Sequence, residues 1–187
     1  MYFNSTGPEN TRKTAEIAVK TVVERHIGCI IMASNTGASL ETLMDEAEKA
    51  GFHGQLVCVT HVNGFCENGV NEMSPDIRAG FEARGAKVYT GTHLLSGAER
   101  ALSRNFQGVY PVEIIAHSLR MFGQGVKVCV EIAVMALDGG IIPYGEPVVA
   151  IGGTGSGLDT AVILSPAHAS DIFKTRIHEV LCKPDLY

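Results

Sequence analysis

Tryptophan is absent from these 187 residues, and all aromatic side chains together make up only 6% of them. A chain so poor in rings offers no platform on which nucleobases stack. Basic charge is scarce as well: 15 Lys and Arg stand against 20 Asp and Glu, a net charge of −5, with no Lys/Arg stripe or cluster. Nucleic acid is thereby excluded as a main partner. The five cysteines, Cys29, Cys58, Cys66, Cys129 and Cys182, are odd in number and contain no C-x-x-C pair. Cys29 and Cys58 fall in strand-like runs and Cys129 in an apolar helix, so buried thiols in a reducing compartment are expected. No apolar run approaches the ~18–20 residues of a membrane span. The opening MYFNSTGPENTRKT lacks the basic and apolar regions of a secretory leader. The expectation is a cytoplasmic protein with no membrane partner.

What is present reads as one ordinary globular domain over residues 1–187, with 45% hydrophobic and 19% charged residues. A chain of this length buries about 70% of its unfolded surface in a single core. Two signals alternate along it. Ala15, Ala18, Val19, Val22 and His26 recur at helical spacing behind a cap at Asn10 or Thr11. The continuously apolar Ile27–Ala33 suits a strand covered on both faces. Leu40, Leu43, Met44 and Ala47 mark a second helix, stopped by Gly51. A strand at Gln55–Val62, a helix from Ser74-Pro75 to Gly85 and a strand at Ala86–Gly91 follow. Ser96-Gly-Ala-Glu99 has the form of a capping box, and Pro111 opens a further helix. From about Gly125 the run VKVCVEIAVMAL is apolar nearly all round and is expected to be deeply buried. VVAIG and TAVIL are two more strands, and Ala169 to Leu181 reads as a helical tail.

Strand–helix alternation implies a parallel sheet with helices on both faces. The eight residues Gly152–Asp159 are too few for a crossover, so the two strands around them pair antiparallel. The predicted fold is α/β: a three-layer α/β/α sandwich on a five-stranded mixed sheet whose last strand is antiparallel.

In such sheets ligands bind beyond the carboxyl ends of the parallel strands. Four features gather there: the turn Ser34-Asn35-Thr36-Gly37-Ala38-Ser39, the segment Thr60–Phe65, the glycine loop Gly152–Gly157, and Gly7–Thr11. A small polar turn at a helix N-terminus offers free N–H groups and the positive dipole end to an anion. Hydrogen bonds to a charged group contribute ~1.5–3 kcal/mol each, so three of them with the dipole supply roughly 5–10 kcal/mol. That range reaches micromolar binding. The alternative is that Ser34 to Ser39 merely cap a helix. The glycine loop is neither a P-loop, since no Lys follows and no helix starts there, nor a dinucleotide fingerprint, since a strand follows. Gly152, Gly153, Thr154, Gly155 and Ser156 suit a loop that folds over a ligand; the alternative is a floppy hairpin tip.

Other residues divide the same way. Glu131 lies in the most apolar helix, and a carboxylate there needs a partner. Arg100, Arg120 or a backbone N–H is the expected partner, with a ligand or proton-transfer role as the alternative. His61 stands at a strand's carboxyl end, placed for ligand contact or as a satisfied loop histidine. His61, Cys66 and Glu67 have no recognised metal-ligand spacing, so no metal is expected. Asp159 and Thr160 close the glycine loop, either holding its shape or reaching a ligand hydroxyl. Tyr2, Phe3 and Phe65 are candidates to pack beside a ring, with a place in the core as the alternative. Asn63–Met73 reads as a surface loop that closes over the site or simply connects. His117 and His178 are expected to be structural.

These residues carry a resemblance. ASNTGASLETL after a strand, and GGTGSGLDT between the last two strands, resemble the C-terminal domain of pyruvate kinase. There a strand-end turn and a late glycine-rich loop bind an activating sugar bisphosphate. The resemblance includes none of the barrel that carries kinase catalysis. More closely, and nearly end to end, the chain resembles small stand-alone archaeal and bacterial proteins built on that domain. The matching segments are Tyr2-Phe3-Asn4, Gly7 to Thr11, Ser96-Gly97-Ala98-Glu99-Arg100, Lys127 to Ile132, and Gly152-Gly153 through Asp159 to Val162. Members of that group look like flavin mononucleotide (FMN) binders without an assigned reaction. The resemblance implies an FMN cofactor whose phosphate sits on Ser34, Asn35, Thr36, Gly37, Ser39 and the glycine loop. Asn4, Asn10, Thr11, Thr60 and His61 would line the rest.

The rival reading is a regulatory module for a sugar phosphate or another phosphorylated metabolite. A bisphosphate calls for a second Lys or Arg anchor, which the glycine loop itself does not contain. A phosphotransfer enzyme is disfavoured because no acidic metal-binding cluster accompanies the turn. A homo-oligomer, with a dimer as the common default, is compatible with so compact a domain.

Overall fold

A computed structural model describes residues 1–185. Its framework is set by strands that are buried on both faces. β2 (Cys29–Ala33), β3 (Gln55–Thr60), β5 (Val148–Gly152) and β6 (Thr160–Ser165) form the centre of one sheet, flanked by β4 (Lys87–Thr90). β2 pairs parallel with β3 and β5, β3 pairs parallel with β4, and β5 and β6 form the expected antiparallel pair.

Alternation along these strands divides the core into two layers. Ile30, Met32, Val149 and Ile151 face α1 (Thr11–Arg25) and α2 (Ala38–Lys49), meeting Ala15, Ala18, Val19, Val22, Leu40 and Leu43. Cys29, Ile31, Val148 and Ala150 face α6 (Gln124–Asp138), whose Val126, Cys129, Val130, Ala133 and Leu137 fill the opposite side. The three-layer α/β/α sandwich is therefore present, with α6 buried along its length as its composition required.

The sheet has seven strands rather than five, in the order β1-β7-β6-β5-β2-β3-β4. β7 (Arg176–Pro184) pairs antiparallel with β6, and the two-residue β1 (Tyr2–Phe3) pairs parallel with β7. The tail expected as a helix is a short 3-10 segment, Ala169–Lys174, followed by β7. Two physical facts hid these strands. Arg176–Glu179 is exposed on both faces and so shows no alternation, and two register irregularities break its pairing with β6. β1 is too short to show any period.

α3 (Pro75–Ala83) starts as expected, with the Ser74 hydroxyl accepting from the Ile77 N–H at 3.4 Å. The box at Ser96–Glu99 does not form. Ser96 makes no capping bond to α4 (Gly97–Phe106), and Glu99 Oε2 instead accepts the Glu113 N–H of α5 (Pro111–Arg120) at 3.0 Å. α4 buries none of its residues, so polar ties rather than packing fix its place. Four cysteines are buried as expected, but Cys66 is exposed, because its loop lies outside both core layers. No helix among the described residues is long and apolar enough to cross a membrane.

Candidate functional site

At the carboxyl ends of the parallel strands lies a cleft of about 850 Å³, within the range of small-molecule sites. Its floor is the turn between β2 and α2. The Ser34 N–H donates to the Val59 carbonyl at 3.2 Å, which aligns the turn with the end of β3. Gly37 enters α2 at φ +97°, and a Cβ there would lie 2.5 Å from the buried Phe81 ring. Only glycine satisfies both constraints. The first turn of α2 leaves its N–H groups without intrahelical acceptors. Ser34, Asn35, Thr36 and Ser39 all line the cleft beside them.

The glycine loop faces this turn, and its base is fixed. Asp159 has no exposed surface. Its Oδ2 accepts the N–H groups of Gly7 (3.3 Å) and Thr154 (3.1 Å), and its Oδ1 accepts the Thr160 hydroxyl at 2.8 Å. Thr11 Oγ1 accepts the Leu158 N–H at 3.0 Å, and the Thr14 hydroxyl donates to the Leu158 carbonyl at 3.3 Å. Gly157, at φ +71°, lets the loop approach Pro8 so closely that a Cβ would lie 2.4 Å from the proline Cα. Gly155 and Ser156 project from this base and are exposed.

An aromatic corner closes another side. His61 stacks on Phe65 with ring centres 3.7 Å apart, and its Nδ1 pairs with Glu72 Oε2 at 2.6 Å. His93 lies 5.3 Å from His61. The Val62 N–H donates to His93 Nε2 at 3.3 Å, so that nitrogen carries the lone pair and the neutral ring is protonated at Nδ1. Burial holds the His93 pKa below its usual range, against the opposing charge of Glu131.

The α6 wall is charged. Lys127 and Glu131 form a buried ion pair one helical turn apart. The second Glu131 oxygen accepts the Leu95 N–H at 2.8 Å. The expected backbone partner for Glu131 is present, but its cationic partner is Lys127 rather than Arg100 or Arg120. Desolvation pushes the Lys127 pKa down, with the Glu131 charge opposing. Arg100 of α4 and Arg120 of α5 line the same wall, the latter with its Nε donating to Gln124 Oε1 at 2.8 Å.

The cleft thus collects Thr11, Ser34, Asn35, Thr36, Ser39, Thr60, His61, Gly153, Gly155 and Ser156. The other candidates lie outside its lining. Asn4 is exposed, and Asn10 is buried with its Nδ2 on the Ser5 carbonyl at 2.9 Å. Gly37 faces a shallow groove between α2 and α3. Gly152 packs against α6, where a Cβ would lie 2.7 Å from the Gly125 carbonyl. Thr154, Asp159 and Thr160 brace the loop from behind. Arg100, Arg120, Lys127 and His93 were not among the expected site residues. Lys127 and Glu131 carried a readable signal, since opposite charges four apart in a buried helix are neighbours.

The sequence matches the family model "Pyruvate kinase, alpha/beta domain" over residues 12–164. Similar solved structures are pyruvate kinases of Cryptosporidium parvum. One is 16% identical over 82% of this chain and 22% of its own, with a TM-score of 0.42. A second is 13% identical over 90% of this chain and 22% of its own, with a TM-score of 0.37. A third, in complex with ADP, is 15% identical over 90% of this chain and 23% of its own, with a TM-score of 0.39. The chain therefore spans 22–23% of the length of these pyruvate kinases. The match over residues 12–164 covers most of the sequence, and the chain belongs to the pyruvate kinase alpha/beta domain family.

Proposed function

We propose that the cleft binds a phosphorylated ligand, FMN, with its phosphate held between the Ser34–Ser39 turn and the Gly152–Gly157 loop. One observation carries this reading: the open N-terminus of α2, with three hydroxyl side chains beside it, faces a glycine loop pinned at its base within one cleft. Backbone N–H groups, hydroxyls and the helix dipole act together on one anion. The pinned loop lowers the ordering cost of closing over it.

The rest of the cleft fits a flavin. Its volume of about 850 Å³ accommodates the molecule. Phe65 and His61 present a stacked edge to a planar ring, while Val128, Ile132 and Met135 supply apolar wall. Thr11 and Thr60 line the space between, where ribityl hydroxyls would lie. Bound FMN supplies hydride or electron transfer. The chain's own residues bind and orient it: the turn fixes the phosphate, and the His61–Glu72 pair holds the aromatic corner in place.

The test is an absorbance scan of freshly purified protein, followed by denaturation and mass measurement of whatever is released. Flavin bands near ~370 and ~450 nm with an FMN mass are expected. A colourless protein that stays colourless with added FMN contradicts the flavin assignment. A second reading, a regulatory site for a sugar phosphate, is favoured by the hydroxyls of Thr11, Ser34, Thr36, Ser39 and Thr60 in the same cleft. Binding of a sugar phosphate by a protein that ignores FMN selects it.

A further inference from the structure

Apolar side chains left in water are concentrated on one part of the molecule. Of the fifteen large hydrophobic side chains exposed among the described residues, six fall within residues 102–122. Phe106, Val109, Met121 and Phe122 are 61–84% exposed, and Leu102 and Ile114 about half. They follow the helices. Leu102 and Phe106 stand four apart on one face of α4, with Arg100 and Arg104 four apart on another. Ile114 and the capping Met121 stand seven apart on α5, and Val109 lies in the short connection between the helices. The Ser103 hydroxyl donates to Glu113 Oε1 at 2.6 Å, and the Glu113 N–H donates to Glu99 Oε2 at 3.0 Å, which sets α4 beside the start of α5.

Nothing among the described residues covers this surface. α4 buries none of its residues, and α5 buries only Ala116. A helix of 10 residues is marginal in water by itself and takes its stability from packing an apolar face. α4 has such a face without an intramolecular partner for it. At their exposures the six side chains leave on the order of 700 Å² in water, above the ~300–600 Å² of the largest patch on a typical monomer. That area is close to the ~800 Å² each partner gives to a stable interface. Charge indicates the occupant. Residues 97–122 carry three Arg and two Glu, nearly balanced, whereas the chain as a whole carries −5. Two copies meeting elsewhere bring acidic surfaces together, and here they do not. The three Arg are fewer than the roughly four to eight Lys/Arg that draw a helix to anionic lipid.

We propose that two copies of the chain pack through the α4–α5 face, and that this contact holds the α4 wall of the cleft in place. A two-fold contact is self-complementary, so each copy supplies the apolar cover that the other lacks. Ser96 and Arg100, at the start of α4, and Arg120 of α5 line the cleft. Assembly therefore steadies one wall of the site, whichever ligand the cleft takes.

Light scattering behind a size-exclusion column, on the full chain at micromolar concentration, tests the contact. The mass of two chains is expected for wild type and of one chain for Phe106→Glu/Met121→Glu, with the circular dichroism of the two alike. In that monomer the α4 amides are expected to exchange with deuterium at least about tenfold faster, while the α6 amides keep their protection. A larger closed ring that the same variant takes apart supports the face equally. A wild-type chain that runs as a monomer overturns the proposal. So does an assembly that the double variant leaves intact, since another face then carries it. A monomeric variant whose α4 exchanges like wild type overturns the link between assembly and the cleft wall. Should the double variant fold poorly, Phe106→Ser alone, a polar change at a side chain 75% exposed, is read in the same way.

Discussion

Asp159 shows how one buried carboxylate turns a glycine-rich segment into a defined wall. Its two oxygens take two backbone N–H groups and a hydroxyl, tying the loop to Gly7 and to the start of β6. Asp159→Ala leaves those donors in a buried place without acceptors and is expected to cost about 2–4 kcal/mol in urea denaturation. Phosphate affinity should fall with it, because the loop loses its base. Gly157→Ala forces an unfavourable φ and a clash with Pro8, and should destabilise the protein by more than an ordinary surface change. Both roles of Asp159, brace or ligand contact, were open in the sequence. Its complete burial and its bonds to Gly7, Thr154 and Thr160, which no spacing reveals, show that it holds the loop in shape.

At the scale of elements, the long buried helix and the central strands were legible because their apolar runs are continuous or strictly periodic. β7 was not, since its first residues are exposed on both faces and helix and strand patterns cannot be told apart there. α4 was legible as a helix but not in its attachment. It hangs on Glu99 to the Glu113 N–H, and the loop leading into it is fastened by Glu131 to the Leu95 N–H. Sequence spacing could suggest the Lys127–Glu131 pair, but not the backbone donor that arrives from the neighbouring loop. Glu131→Ala strands a buried ammonium and should cost about 3–5 kcal/mol. Lys127→Met/Glu131→Leu should cost clearly less than the sum of the single changes, as a double-mutant cycle on thermal stability would read.

For the whole molecule, the three layers put four of the five thiols out of reach. A thiol-reactive disulfide reagent is expected to titrate one cysteine, Cys66, in the native protein and the remaining four only after unfolding. Burial pushes the Cys29 and Cys58 thiols up to about 12 from the usual 9.0. Their folded values lie above their unfolded ones, so this contribution is intact below pH ~9 and is lost as pH rises toward ~12. The alkaline loss of stability should therefore shrink in Cys29→Ala/Cys58→Ala relative to wild type. The α/β/α architecture was readable from the alternation of strands and helices. The presence of Arg100 and Arg120 in the cleft wall was not, because it depends on where α4 and α5 fold over the cleft.

The most direct test of the central claim is a fluorescence titration of FMN and riboflavin, side by side, into wild-type protein and Thr36→Asp. The proposal that the turn holds the phosphate predicts micromolar FMN binding, riboflavin weaker by at least about a hundredfold, and loss of that preference in Thr36→Asp with the fold intact. Equal affinity for the two flavins, or an unchanged FMN affinity in a normally folded Thr36→Asp, would contradict it.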